Sequence, residues 1–210
     1  MHDRIHFQSY SFDGSKIAFL VHDSDLDLSQ GPVSRLYISN SDYSEHICID
    51  EGIFYYDVAW KNDSDGLIYS KNHDLWEYSI SENEKTQLST TPEHEENPSY
   101  SSDGRYIAFS VQNAAFQDAV YITQAHSFQP IKLMDEARLA RWVPNRNLLM
   151  IARERTLDNE RSWTESWLID LEGNIVRKFA EGTYTQLDFA PDGRHFVYTL
   201  HGDLWLDRIP

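Results

Sequence analysis

Carboxylates and histidines are the side chains in this sequence with chemistry to offer. Acidic groups recur as Asp23, Asp25 and Asp27, as Asp50 and Glu51, as Glu93, Glu95 and Glu96, as Asp135 and Glu136, and as Asp158 and Glu160. Such groups can ligate a hard cation or attract a cationic partner. The run Asp23-Ser-Asp25-Leu-Asp27 has the alternation that opens an EF-hand loop. That loop needs Gly at its sixth place and Glu at its twelfth; Leu28 and Ser34 stand there, which excludes it and leaves only an irregular cation site open. His22, His73, His94 and His201 lack the His-x-x-x-His spacing of a paired metal ligand. No metal site and no cofactor is assigned. The sequence has no Gly-x-Ser-x-Gly elbow, no phosphate loop and no His-Glu-x-x-His.

The balance of charge narrows the partners. Eighteen basic residues against 34 acidic ones give a net charge of −16, which repels nucleic acid and anionic membrane. A basic protein or peptide, or a cation, remains compatible. The single cysteine, Cys48, excludes a disulfide framework and a cysteine-based zinc site. No segment reaches the roughly 18 apolar residues of a membrane span. The first residues, Met1-His-Asp-Arg-Ile-His, lack the apolar run of a secretion signal, so a complete chain is expected to be cytoplasmic.

What positions these residues is a repeat. Five times an aromatic residue leads a short polar turn, with Asp-Gly or a substitute, into an apolar run. The copies are Tyr10-Ser-Phe-Asp-Gly14, Trp60-Lys-Asn-Asp-Ser-Asp-Gly66, Tyr100-Ser-Ser-Asp-Gly104, Trp142-Val-Pro-Asn-Arg146 and Phe189-Ala-Pro-Asp-Gly193, with leading aromatics 40 to 50 residues apart. Each is followed by a second apolar run, such as Leu75-Trp-Glu-Tyr78 or Leu204-Trp-Leu206, and the first four by a third. Short β-branched and aromatic runs between Asn, Asp, Gly and Ser read as strands. Four strands per ~45 residues is the pattern of propeller blades. The expectation is an all-β propeller forming one domain over 1–210. Its repeats start near 5, 55, 95, 137 and 184, and the last blade has three strands. At each turn Gly supplies a positive φ and Asp bonds the backbone two residues on; Asn145 takes the left-handed place in the fourth copy.

Ser11-Phe-Asp-Gly-Ser-Lys-Ile-Ala-Phe19, Ser101-Ser-Asp-Gly-Arg-Tyr-Ile-Ala-Phe109 and Phe189-Ala-Pro-Asp-Gly-Arg-His-Phe-Val-Tyr198 resemble the repeat of TolB-like propellers, also called WD40-like PD40 repeats. The resemblance covers essentially the whole chain and implies the fold. It carries no functional residue, because the motif is a blade turn. The repeat occurs in protein-binding factors, peptidase propellers, sensor regions and polysaccharide lyases. A fragment of an exported TolB-like protein would be periplasmic.

In antiparallel blades of strands a to d, the a–b turns lie at one end and the b–c and d–a connections at the other. The uneven b–c connections, 22–35, 112–118 and 154–165 above all, mark the working end. The binding-face candidates are Asp23, Asp25, Asp27, Glu93, His94, Glu95, Glu96, Asp158 and Glu160, with Phe116 and Trp163 as aromatics in mid-insertion. The leading function is a non-enzymatic protein-binding or sensing module that takes a basic partner. The alternative is a carbohydrate-active hydrolase or lyase with carboxylates near a central opening, for which Asp57, Glu96 and Asp188 are the first-strand candidates. The strand at 204–207 has no fourth strand beside it and is expected to pair with a further segment.

Overall fold

A computed structural model describes residues 4–22, 34–52, 54–157, 161–179, 187–200 and 203–209. Its contacts group into two compact units, Met1–Ser99 and Tyr100–Pro210. Every regular element among the described residues is a strand.

The first unit holds two antiparallel four-stranded sheets in sequential order. One comprises β1 (Arg4–Tyr10), β2 (Lys16–His22), β3 (Ser34–Asn40) and β4 (His46–Gly52); the next comprises β5 (Phe54–Trp60), β6 (Gly66–Lys71), β7 (Asp74–Ser79) and β8 (Glu84–Gln87). The third sheet is β9 (His94–Tyr100), β10 (Tyr106–Gln112), β11 (Asp118–Gln124) and β12 (Ile131–Asp135). The fourth is β13 (Ala137–Trp142), β14 (Leu149–Leu157), β15 (Arg161–Ile169) and β16 (Ile175–Lys178). The fifth has three strands, β17 (Leu187–Phe189), β18 (His195–Leu200) and β19 (Asp203–Arg208).

Burial explains the strand sequences. The second strand of each four-stranded sheet is buried on both faces, so its apolar residues run consecutively: Ile17 to Leu20, Leu67 to Tyr69, Ile107 to Phe109 and Leu149 to Ile151. The outermost strands β8, β12 and β16 have only four or five residues, and β8 is exposed at every residue. The first unit packs Leu20, Leu36, Leu67 and Tyr69 into one core cluster. In the second unit, Val120, Trp142 and Ile151 belong to one cluster and Phe179, Phe196 and Tyr198 to another.

Two boundaries differ from the sequence reading. Asp50 and Glu51, which the sequence reading assigns to a connection between sheets, belong to β4, opposite Leu36 and Arg35. The insertion expected at 154–165 is a strand extension. β14 and β15 pair as far as Leu157↔Arg161, so Trp163 is a strand residue opposite Arg155 rather than a loop residue. In-register pairing across nine residue pairs satisfies backbone groups that a loop would leave to water.

The a–b turns follow one plan. In the first, Gly14 donates to the Ser11 carbonyl at 3.0 Å, and the Asp13 carboxylate accepts from Ser15 N at 3.0 Å and from Ser11 Oγ at 2.6 Å. The same bonds recur at Ser101–Asp103–Arg105, and the Ala190–Asp192–Arg194 turn repeats the backbone ones. Hydrogen bonds from Arg194 N and His195 lower the Asp192 carboxyl to about 2. Gly14, Gly104 and Gly193 have φ of 70°, 70° and 62°, as the turn chemistry demands. Asn145 at 57° takes the left-handed place in the fourth turn. In the second turn that place belongs to Ser64, at 62°, and not to Gly66. Gly66 instead opens β6, where a Cβ would stand 2.3 Å from the Tyr78 carbonyl oxygen.

Successive turns are tied together inside each unit. Asp13 N donates to Ser64 Oγ at 3.1 Å, Asn145 N to Ser102 Oγ at 3.0 Å, and Asn145 Nδ2 to the Pro191 carbonyl at 2.9 Å. The two end glycines therefore differ in what surrounds them. A Cβ on Gly14 meets nothing within 4 Å, whereas one on Gly193 would lie 1.9 Å from the Pro144 carbonyl oxygen. Gly14→Ala is expected to cost about 1 kcal/mol, the conformational term alone. Gly193→Ala should cost roughly 2–4 kcal/mol, because the neighbouring turn must also move. Paired urea titrations check the order; equal losses would deny the contact between turns its role.

Candidate binding surface

The loop end of the second sheet gathers four of the predicted residues. β6 and β7 are joined by Asn72 and His73, both at positive φ (52° and 74°), across the closing pair Lys71↔Asp74. This is the primed-type two-residue turn whose twist suits a hairpin. His94 starts β9, and its ring stacks on His73 at 3.6 Å with 20° between planes. Burial, and then the neighbouring His94, lower the basicity of His73 and favour its neutral form.

Glu95 does not face solvent. It is 3% exposed, and its carboxylate accepts from Ser89 Oγ at 2.8 Å and Thr91 Oγ1 at 2.5 Å. Its carbonyl accepts from Ser70 Oγ at 2.6 Å, and its N–H donates to the His73 carbonyl at 2.9 Å. Ser89 Oγ accepts in turn from Leu75 N at 2.8 Å. Glu95 thus bolts the 88–93 connection onto β6 and β7, and it positions this end rather than meeting a ligand. Glu93, His94 and Glu96 are half-buried around it. Burial raises the Glu95 carboxyl above its ordinary range, and the Asp74 and Glu93 charges add to the rise against the two hydroxyl bonds.

The opposite case stands one sheet away, and sequence reasoning missed it. Asp50, buried on β4, receives Lys71 Nζ at 2.6 Å and Lys85 Nζ at 3.0 Å on Oδ1 and the Tyr69 hydroxyl at 2.9 Å on Oδ2. Burial opposes its charge, but the bonds from Lys71, Lys85 and Tyr69 prevail and hold the carboxyl below its usual range. Burial, and then the Asp50 charge, keep the Tyr69 phenol protonated. The four residues come from three strands of two sheets, 19 to 35 positions apart, so no local motif signals them.

In the second unit, the β10–β11 connection is a tight five-residue turn. Asn113 organises it: Oδ1 accepts from Ala115 N at 2.9 Å and Gln117 N at 3.1 Å, and its carbonyl accepts from Phe116 N at 2.9 Å. Asn113 N donates to the Gln117 carbonyl at 3.1 Å. Phe116 sits at the tip with φ 57° and is 81% exposed. It does not fold onto its sheet. Asp23, Asp25, Asp27, Asp158 and Glu160 lie outside the described residues. Of the carboxylates considered for catalysis, Asp188 is exposed on β17 and Glu96 is half-buried on β9. Among the described residues, no group of three His, Cys, Asp or Glu could hold a metal ion.

The two buried carboxylates respond oppositely to pH. Asp50 has a depressed folded pKa, so its stabilisation is present above the unfolded value near 4 and is lost as pH falls through the folded one. Asp50→Asn should cost about 2–3 kcal/mol at pH 7, where it leaves two lysines facing a neutral amide, and less near pH 3. Glu95 has a raised folded pKa, so its burial penalty grows as pH rises from about 4 through the folded value. Glu95→Gln should therefore be best tolerated at pH 8 and most costly, relative to the unsubstituted protein, at pH 4. Denaturation midpoints across pH test both slopes; parallel profiles for Glu95→Gln and the parent would refute the assignment for Glu95.

No protein-family model and no curated protein matches the sequence. Solved structures do match its fold. TolB from Acinetobacter baumannii superimposes with a TM-score of 0.63 at 12% identity, over 97% of this chain and 51% of that one. The β-propeller domain of the Trilobed protease from Pyrococcus furiosus gives 0.74 at 10% identity, over 98% and 69%. Oligogalacturonate lyase from Vibrio parahaemolyticus gives 0.72 at 16% identity, over 98% and 63%. The chain thus spans between about half and about two thirds of these three structures. Its turns, its sheet order and these likenesses agree: the chain has the β-propeller fold of the TolB type, with four four-stranded sheets and a fifth of three strands among the described residues.

Proposed function

We propose that the protein is a non-enzymatic binding module that takes a basic protein segment, with Phe116 at the tip of the β10–β11 turn as an anchor. The observation that carries this reading is the state of Phe116. A bulky residue at positive φ is strained, and an exposed aromatic ring forgoes the gain of burial. The turn nevertheless fixes it outward through four hydrogen bonds centred on Asn113. A preorganised aromatic loses little entropy on docking and supplies desolvated contact area that charge alone does not. The net charge of −16 favours a cationic partner. The carbohydrate-active alternative gains nothing from the two buried carboxylates, since Asp50 and Glu95 are each engaged by protein partners.

Stability and binding should move in opposite directions at this position. Phe116→Gly is expected to stabilise the fold by about 0.5–1 kcal/mol, because glycine takes the left-handed conformation without strain. Phe116→Ala should leave stability within about 0.5 kcal/mol. Both should weaken capture of Lys/Arg-rich peptides bearing an apolar residue by about 1–2 kcal/mol, and capture should weaken with salt. Thermal melts and calorimetric titrations with such peptides decide the matter. A destabilised Phe116→Gly with unchanged titration would mean that the ring anchors its own loop.

A further inference from the structure

Charge is divided unevenly along the chain. Residues 1–99 hold six basic and nineteen acidic side chains, whereas residues 100–210 hold twelve and fifteen. The kind of cation changes as well: four of the six are lysine, and ten of the twelve are arginine. Arginine is the cation whose planar fork matches a carboxylate bidentately, while lysine acts as a point charge. The a–b turns show the same contrast. The first two, Ser11-Phe-Asp-Gly-Ser-Lys16 and Lys61-Asn-Asp-Ser-Asp-Gly66, have no arginine; the other three contain Arg105, Arg146 and Arg194.

The second unit sets these three arginines in one row. Its turns are bonded in sequence, Asn145 N to Ser102 Oγ at 3.0 Å and Asn145 Nδ2 to the Pro191 carbonyl at 2.9 Å. The Arg146 stem passes 3.8 Å from where a Cβ on Gly193 would stand, beside the residue that precedes Arg194. On the other side, the Arg105 guanidinium lies over the Tyr106 ring at 5.7 Å, and that ring stacks at 6.4 Å on Trp142, the aromatic that leads the fourth turn. The Arg105 side chain is 65% exposed, Arg194 is exposed and Arg146 is half-buried. The acids of this row are folded into their own turns. Asp103 accepts from Ser101 Oγ at 2.7 Å and Arg105 N at 3.1 Å; Asp192 accepts from Arg194 N at 2.8 Å and meets His195 Nδ1 at 2.7 Å. Asp103 also meets Arg105 Nε at 2.6 Å, which engages one of five guanidinium donors. The fourth turn has the amide Asn145 in place of an acid, so it adds a cation and no carboxylate.

We propose that the row of a–b turns in the second unit binds an acidic protein segment, whose carboxylates are held by Arg105, Arg146 and Arg194. Each guanidinium offers parallel N–H donors to one carboxylate, which gives direction as well as attraction. A short acidic segment suits this place better than a nucleic acid. At physiological salt, charges more than about 8 Å away are largely screened, so a short segment meets mainly the local arginines. An extended polyanion also runs against the rest of a protein of net charge −16. This site does not rest on Phe116 or on the basic partner proposed for it.

The test is a titration of labelled octaglutamate into the protein at about 0.15 M salt, with octaglutamine and oligothymidylate as parallel probes. Octaglutamate is expected to bind and octaglutamine to show no binding. Arg194→Ser places in the fifth turn the residue that the first turn already has there, since Ser15 N meets Asp13 as Arg194 N meets Asp192. Its thermal melt is therefore expected to match the parent, and melts verify the fold of every variant. Arg105→Ser, Arg146→Ala and Arg194→Ser should each weaken octaglutamate binding about threefold, and the triple variant should abolish it. Lys16→Ser, which removes a cation from a turn of the first unit, should leave the titration unchanged. So should Phe116→Ala, whose effect belongs to the other site. Absence of octaglutamate binding would overturn the proposal. So would an equal loss in Lys16→Ser, because the attraction would then be diffuse. Tighter binding of oligothymidylate than of octaglutamate would overturn it in favour of a nucleic-acid site.

Discussion

Double-sided burial governs the rest of this structure. The second strand of each complete sheet has apolar residues on both faces, so water reaches neither side and every polar group nearby must find a protein partner. Asp50 is where that demand is greatest. Its carboxylate joins β4 to β6 and β8, and its charge persists only because two ammonium groups and a phenol surround it. Buried charge of this kind adds little net stability over an apolar replacement, but it punishes mispairing heavily. Asp50 therefore fixes which sheets meet, and in what register.

Glu95 solves the same problem with the other protonation state. Hydroxyl donors are weaker counterparts than ammonium groups, and nearby Asp74 and Glu93 disfavour a further negative charge. An acid that favours its neutral form can still hold Ser89 and Thr91, so the connection is secured without a cation. The two residues look alike in the sequence, as acids close to a strand end. Only their surroundings assign one a permanent charge and the other a conditional one.

The fold was legible because it repeats. Turns that need a left-handed residue advertise themselves through Asp-Gly, and five copies in register leave few architectures open. The three-stranded fifth sheet was readable for the same reason, from a copy that lacked its last run. Legibility failed where contacts cross between copies. Lys71 and Lys85 carry no mark that assigns them to Asp50. The 154–165 segment read as a loop because Arg155, Asn159 and Glu160 are polar, yet backbone pairing of β14 with β15 does not depend on apolar side chains. Phe116 stood out as an aromatic in mid-insertion, but its outward pose comes from Asn113, whose side chain closes the turn.

The five turns also bear on how such repeats drift apart. In two of the five turns the left-handed place is held by a residue other than glycine, Ser64 and Asn145. Each replacement contributes what glycine cannot: Ser64 Oγ receives Asp13 N, and the Asn145 amide reaches the Pro191 carbonyl. The backbone penalty of the substitution is offset by a bond to the adjacent copy. Gly193 has no such route, because the Pro144 carbonyl occupies the volume any side chain would need. Divergence among the copies is thus uneven by construction: a neighbour that offers a hydrogen bond opens a turn to variation, and one that presents its backbone freezes it.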